Sequence, residues 1–127
     1  MTKNVMNTNS TSEEEMSRMV RMMKVLAEPN RLALLRKIMD GIQCNCELGG
    51  ELNLAPNLIS HHLGVLRDAG LINLERDQFD ARWIYYSINQ EALDDYLRLF
   101  TEFLNPKRIL PRQVSCGPSI PWMTKST

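Results

Sequence analysis

The chemistry this chain offers is concentrated in three cysteines. Cys44 and Cys46 sit in the run Ile42-Gln43-Cys44-Asn45-Cys46-Glu47-Leu48, and Cys116 lies far downstream in a Pro-rich stretch. A Cys-x-Cys pair with a lone third thiol is a donor set for a soft ion that takes three sulfurs. An odd number of cysteines makes a poor disulfide scaffold. In a reducing compartment such thiols serve as ligands, redox groups or buried bystanders. Two residues apart on an ideal helix, Cys44 and Cys46 point about 200° away from each other. Binding one ion then requires the start of their helix to distort, and that distortion is a candidate switch. Cys116, in the turn-like context Val114-Ser115-Cys116-Gly117-Pro118, can reach the pair within one subunit or across a dimer.

The elements that must position these thiols are mostly helical. Residues 1–12, rich in Asn, Ser and Thr, read as a disordered N-terminal tail. Ser12 followed by Glu13-Glu14-Glu15 is a capping-box start for a first helix over 13–27. On it Met16, Met19, Val20 and Met23 recur at helical spacing, a stripe for the core or a dimer interface. A second helix is expected over 30–39, with Leu32, Leu35, Ile38 and Met39 as its apolar face and Asp40-Gly41 as its end. A third covers 46–52 and a fourth 56–69, separated by the tight turn Asn53-Leu54-Ala55. Pro56 suits a first helical position and Gly70 a C-terminal stop.

Two helices joined by so short a turn form a helix-turn-helix. The second would hold Ile59, Leu63 and Leu66 inward and present Asn57, Ser60, His61 and Gly64 outward. Small polar side chains there reach base edges and phosphates, and Gly64 lets the backbone approach. His61 is expected to face DNA, and His62 to pack or hydrogen-bond within the fold. Residues 71–75 and 82–88 have strand composition, with 76–81 as a polar hairpin tip. Arg76 and Arg82 are candidate phosphate contacts from this wing. A last helix over 89–104 carries Leu93, Leu97 and Phe100 on one face. The expected fold is therefore mainly α with a small β-hairpin, a winged helix-turn-helix of order α-α-α-α-β-β-α. The domain spans 13–104 and serves DNA binding and dimerisation, and a Pro-rich tail over 105–127 carries Cys116.

A chain of 127 residues is the size of one domain. The two apolar faces on its first and last helices are more than it can bury alone, so a two-fold homodimer is expected. Such a dimer sets two recognition helices in successive major grooves of palindromic double-stranded DNA. The formal net charge is zero, which argues against strong nonspecific nucleic-acid binding. Even the stretch 56–86 sets three arginines against four acids. DNA recognition must therefore rest on the motif and on where charges point. No apolar run approaches the roughly 18 residues that span a bilayer, and the polar, acidic N-terminus does not read as a signal peptide. A cytoplasmic protein without membrane contact is expected. No Cys-x-x-Cys, Gly-rich phosphate loop or Ser/His/acid constellation supports catalysis, so neither an enzyme nor a catalytic cofactor is expected.

The chain resembles the ArsR/SmtB family of metal-sensing repressors. The resemblance rests on Ala27-x-Pro29-x-Arg31-Leu32, Cys44-x-Cys46-Glu47-Leu48, Ser60-His61-His62-Leu63, Leu66-Arg67-Asp68-Ala69-Gly70-Leu71 and Trp83-Ile84-Tyr85-Tyr86. It implies a homodimeric repressor that holds operator DNA when free and leaves it when loaded. The family's arsenic box often reads Cys-Val-Cys-Asp-Leu-Cys. Cys44 and Cys46 match its first two thiols, whereas Gly49 stands at the third, which makes Cys116 the substitute ligand. The family's cadmium and lead sensors add cysteines near the N-terminus, and its zinc sensors use carboxylates and histidines on the last helix. This chain matches neither pattern. The resemblance thus implies arsenite or antimonite, As(III) or Sb(III), as inducer bound by Cys44, Cys46 and Cys116. The alternative is a thiol redox- or sulfide-responsive repressor of the same fold; trivalent organoarsenicals, which need two thiols, are further possible inducers. A scavenging protein that binds metal without DNA is the reading from another class.

Overall fold

The computed structural model describes residues 8–114 and 116–117. Its elements are α1 (Thr8–Leu26), α2 (Pro29–Met39), α3 (Asn45–Leu52), α4 (Pro56–Asp68), β1 (Ile72–Arg76), β2 (Ile84–Ile88) and α5 (Gln90–Phe103), followed by a 3-10 turn, Pro106–Arg108. This is the expected winged helix-turn-helix order. No helix among the described residues is long and apolar enough to cross a membrane.

Local chemistry explains most boundaries. Glu28 is the N-cap of α2, its carboxylate accepting the Arg31 N–H at 3.1 Å, with Pro29 in the first turn. The α3–α4 turn passes through Asn53 in the left-handed region (φ 54°), whose N–H bonds the Gly49 carbonyl. Pro56 opens α4 as expected, and Gly70 at φ +83° supplies the left-handed turn beyond it. Asn89 caps α5 by accepting the Ala92 N–H at 3.3 Å. Its side-chain amide donates to the Gly70 carbonyl at 2.9 Å, and its backbone N–H to Leu71 at 2.8 Å. One residue thus closes the hairpin base onto the end of α4. The strands pair antiparallel with Ile72 opposite Ile88 and Arg76 opposite Ile84.

Three expectations need correction. α1 begins at Thr8, so residues 8–12 belong to the helix rather than to a disordered tail. Ser, Thr and Asn are weak helix formers but not breakers, and nothing there stops the helix running back from the Glu run. On α2 the buried residues are Leu34, Leu35 and Ile38, while Leu32 and Met39 are exposed; α1, α3, α4 and β2 all pack on α2 and so set its inward face. On α1, Met19 is buried within the chain together with Met22, and only Met16, Val20 and Met23 face outward. Met19 is therefore filled by its own fold and is not free to pack on a partner.

The core gathers Met22, Leu34, Leu48, Ile59, Leu63, Leu66, Leu71 and Ile72, with Leu93 and Phe100 packed against it half-buried. Ile59, Leu63 and Leu66 of α4 are buried as the helical spacing requires. α1 lies against α5. The outward side of this pair exposes Met16, Val20 and Met23 on α1 and Leu97 on α5, the last 54% accessible.

Candidate nucleic-acid interface and thiol site

The outer face of α4 is built as its periodicity requires. With one side pinned by Ile59, Leu63 and Leu66, Asn57, Ser60 and His61 are exposed on the other. Gly64 lies among them, and a Cβ placed there meets nothing within 4 Å. The fold itself leaves that space open. The wing stands beside it. Asp77 organises the tip by accepting the N–H groups of Phe79 at 3.0 Å and Asp80 at 2.9 Å. Arg76 donates to the Ala81 carbonyl at 3.0 Å. Arg82 grips Asp80 through both carboxylate oxygens, at 3.0 and 2.8 Å. That grip holds the Asp80 carboxyl below its ordinary range and raises the Arg82 guanidinium. Both wing arginines are exposed, and both are hydrogen-bonded within the wing.

Around the buried His62 of α4 lies a part-buried polar network that sequence spacing did not reveal. Arg31 donates through Nε to the Val25 carbonyl at 2.7 Å and through Nη1 to His62 Nδ1 at 3.2 Å. His62 Nε2 lies 3.9 Å from the Glu28 carboxylate. Accepting from Arg31 leaves the neutral imidazole proton on Nε2, facing Glu28. Burial first, then the Arg31 charge, pushes His62 below its ordinary pKa, with Glu28 opposing. His62 therefore serves the fold, as expected, and ties α4 to the α1–α2 junction. The signal was in Glu28-Pro29, a cap followed by its proline.

The thiol pair sits where a strand-like segment turns into a helix. Cys44 is the N-cap of α3, extended at φ −83° and ψ 138°, and Cys46 lies in the first turn. Only one of the two is inside the helix, so the 200° divergence does not apply. Their sulfurs are 3.3 Å apart, already converging with no distortion required. With bonds of about 2.3 Å from thiolate to a soft ion, a 3.3 Å separation subtends about 90° at that ion. A separation this short lets both sulfurs reach a single ion. Cys44 is buried and Cys46 exposed. The sulfur contact with Cys44 raises the Cys46 thiol above its ordinary pKa, with partial desolvation and Glu47 adding to it. Displacing its proton is part of binding any ion there.

Cys44 also pairs with Tyr85 in an isolated antiparallel bridge, and Tyr86 N–H donates to the Gln43 carbonyl at 2.9 Å. The pair is thereby fastened to the wing strand. On its other side α3 packs on α4: a Cβ at Gly49 meets the Ile59 side chain of α4 at 3.8 Å and the Leu54 carbonyl of the intervening turn at 3.7 Å, and Leu54 N–H bonds the Gly49 carbonyl at 3.2 Å. Beside the sulfurs opens a cleft of about 440 Å³ lined by Cys44, Asn45, Cys46, Arg82, Trp83 and Ile84. Nothing in the sequence assigned Asn45, Trp83 and Ile84 to the thiol site, because the hairpin register alone brings the start of β2 over the sulfurs.

Cys116 is not brought to this pair within the chain. It is exposed, its carbonyl accepting from Arg112 at 2.7 Å. Among the described residues no group of three His, Cys, Asp or Glu side chains is placed to share a metal ion. The expected trio of Cys44, Cys46 and Cys116 is thus a duo plus a distant thiol in the monomer.

Comparison with known proteins gives a consistent result. The family described as "Bacterial regulatory protein, arsR family" matches residues 28–73. The HTH-type transcriptional regulator CmtR of Mycobacterium tuberculosis is 34% identical over 83 residues, covering 65% of this chain and 68% of that protein. The arsenical resistance operon repressor of Bacillus subtilis is 29% identical over 90 residues, covering 70% and 83%. Among solved structures, one titled as a possible transcriptional regulator for arsenical resistance superposes with a TM-score of 0.58 at 30% identity, covering 67% of this chain and 85% of that one.

Proposed function

We propose that this chain, which belongs to the arsR family of bacterial regulatory proteins, is a repressor released from its operator when As(III) or Sb(III) binds Cys44 and Cys46. That it is a DNA-binding transcriptional regulator, not an enzyme, follows from the family. The inducer is our own reading, and one observation carries it: two sulfurs 3.3 Å apart at the N-cap of α3. Two sulfurs within reach of one ion suit a thiophilic metal or metalloid, and the resemblance of the Cys-x-Cys box to arsenic sensors points to arsenic.

In this reading α4 enters the major groove with Asn57, Ser60, His61 and Gly64 toward the bases, and Arg76 and Arg82 hold phosphates from the wing. A palindromic operator is read by a homodimer joined through the exposed stripe of Met16, Val20, Met23 and Leu97. Leu93 and Phe100 are half-buried against the core, and Met19 is buried within the chain. The protein acts in the cytoplasm, where its DNA is. Cys116 supplies the third thiolate to arsenite, carried by the tail of the same or the second copy.

The switch follows from position. The pair lies between both reading elements, touching α4 through α3 and the wing through the Cys44–Tyr85 bridge. An ion that pins both sulfurs fixes the α3 N-terminus. It favours whichever conformation best matches its bond angles, and DNA is released if that conformation is not the DNA-bound one.

The test is fluorescence anisotropy of the reduced protein on DNA from upstream of its own gene, titrated with arsenite. Tight binding followed by release is expected. Cys44→Ser and Cys46→Ser should bind DNA like the wild type and not be released; release of the Cys46→Ser protein by arsenite sinks the mechanism. A second reading, a thiol redox switch, is favoured by the contact of an exposed and a buried thiol. Under mild oxidant it predicts loss of two hydrogens in intact mass, in step with DNA release.

A further inference from the structure

We infer that the thiol pair and the wing strand together form a seat for a monosubstituted trivalent arsenical, with arsenic bridging Cys44 and Cys46 and its organic group in the cleft against Trp83 and Ile84. This rests on the reading of the pair as an arsenic site and names a further ligand class that the pair can hold without Cys116.

Three observations carry it. The first is the donor count. Trivalent arsenic forms three bonds. Arsenite held by two thiols keeps a hydroxyl that calls for a third donor, which the Cys116 tail has to bring, since among the described residues no third ligand is placed with the pair. An arsenical with one carbon substituent has two exchangeable positions, matching two thiols. The exchange balances without any oxidant. Two As–O bonds of R–As(OH)₂ break and two As–S bonds form. The two thiol protons leave with the two hydroxides as water, and arsenic stays trivalent.

The second is space. The cleft beside the sulfurs holds about 440 Å³, within the range of small-molecule sites and far more than a bare ion fills. The third is its wall. Trp83 is 46% accessible and lies outside the core cluster, so the fold does not require an indole there. An aryl group lying along it removes apolar surface from water on both partners. Arg82, also lining the cleft, is the residue that grips Asp80 at the wing tip. An occupant therefore presses on the wing directly as well as through the Cys44–Tyr85 bridge.

The experiment is calorimetric titration of the reduced full-length protein with phenylarsine oxide and with arsenite, each paired with the DNA-release assay. Cys116→Ser should weaken arsenite binding and leave phenylarsine oxide unchanged. Trp83→Ala should weaken phenylarsine oxide about tenfold while arsenite shifts less than twofold, and Trp83→Phe should restore most of the loss. If Trp83→Ala does not fold, Trp83→Leu compared with Trp83→Phe reads the same contrast. Equal sensitivity of both arsenicals to the Trp83 variants overturns the seat and leaves the arsenic-responsive repressor standing. Failure of the wild type to bind either arsenical overturns that repressor reading, and the seat with it.

Discussion

Cys44 and Tyr85 face each other across an isolated antiparallel bridge, so a candidate ligand residue is also a member of the wing's extended backbone. The adjoining hydrogen bond, Tyr86 N–H to the Gln43 carbonyl at 2.9 Å, is a direct reporter of that link. Binding of an arsenical to the pair should raise hydrogen exchange at the Tyr86 amide. The Asn89 amide, bonded to Leu71 at the hairpin base, should stay protected. Unchanged protection at Tyr86 in the loaded protein excludes a route through the bridge and leaves only the α3–α4 contact.

The exposed stripe on α1 and α5 separates association from folding. Leu97 is 54% accessible, so Leu97→Asp should cost the monomer little, about 0.5 kcal/mol or less, while placing a charge in the proposed interface. Sedimentation should show the wild type as a dimer and Leu97→Asp as a folded monomer with weakened operator binding. A variant that remains dimeric places the interface elsewhere.

Gly64 tests the recognition face. Because a Cβ there meets nothing within 4 Å, Gly64→Ala should gain up to about 1 kcal/mol of helix stability, visible as a higher melting temperature. Operator affinity should fall about tenfold, or roughly 1.4 kcal/mol, if the backbone approaches DNA at this point. Higher stability with unchanged affinity assigns Gly64 no part in the interface.

His62 makes stability depend on pH with a defined sign. Burial and Arg31 lower its folded pKa below the ordinary 6.5, so between the two values the unfolded chain binds more protons. The contribution is present above 6.5 and is lost as pH falls through the lowered folded value. Denaturant midpoints should decline in the wild type as pH falls from 6.5 through the lowered folded value, and the decline should be shallower in His62→Gln. Parallel curves for the two proteins remove His62 as its source.

The order of elements was legible in the sequence because it depends on local signals. Pro56 and Gly70 bound α4, Ile59, Leu63 and Leu66 repeat at helical spacing, and the Asn53 turn separates α3 from α4. The Cys-x-Cys box was legible as two neighbouring thiols for the same reason, since a thiol's chemistry travels with its residue type. Tertiary structure decided what depends on which neighbour arrives. It turned Met19 inward and left Met16, Val20 and Met23 outside, because the seating of α1 on its neighbours selects among faces that the periodicity alone leaves equivalent. It made Cys44 a cap rather than a helical residue, which brought the sulfurs to 3.3 Å. It laid Trp83 and Ile84 over them through the hairpin register and kept Cys116 apart. Each of these is a contact between residues far apart in the chain, set by packing and strand pairing, to which local spacing carries no signal.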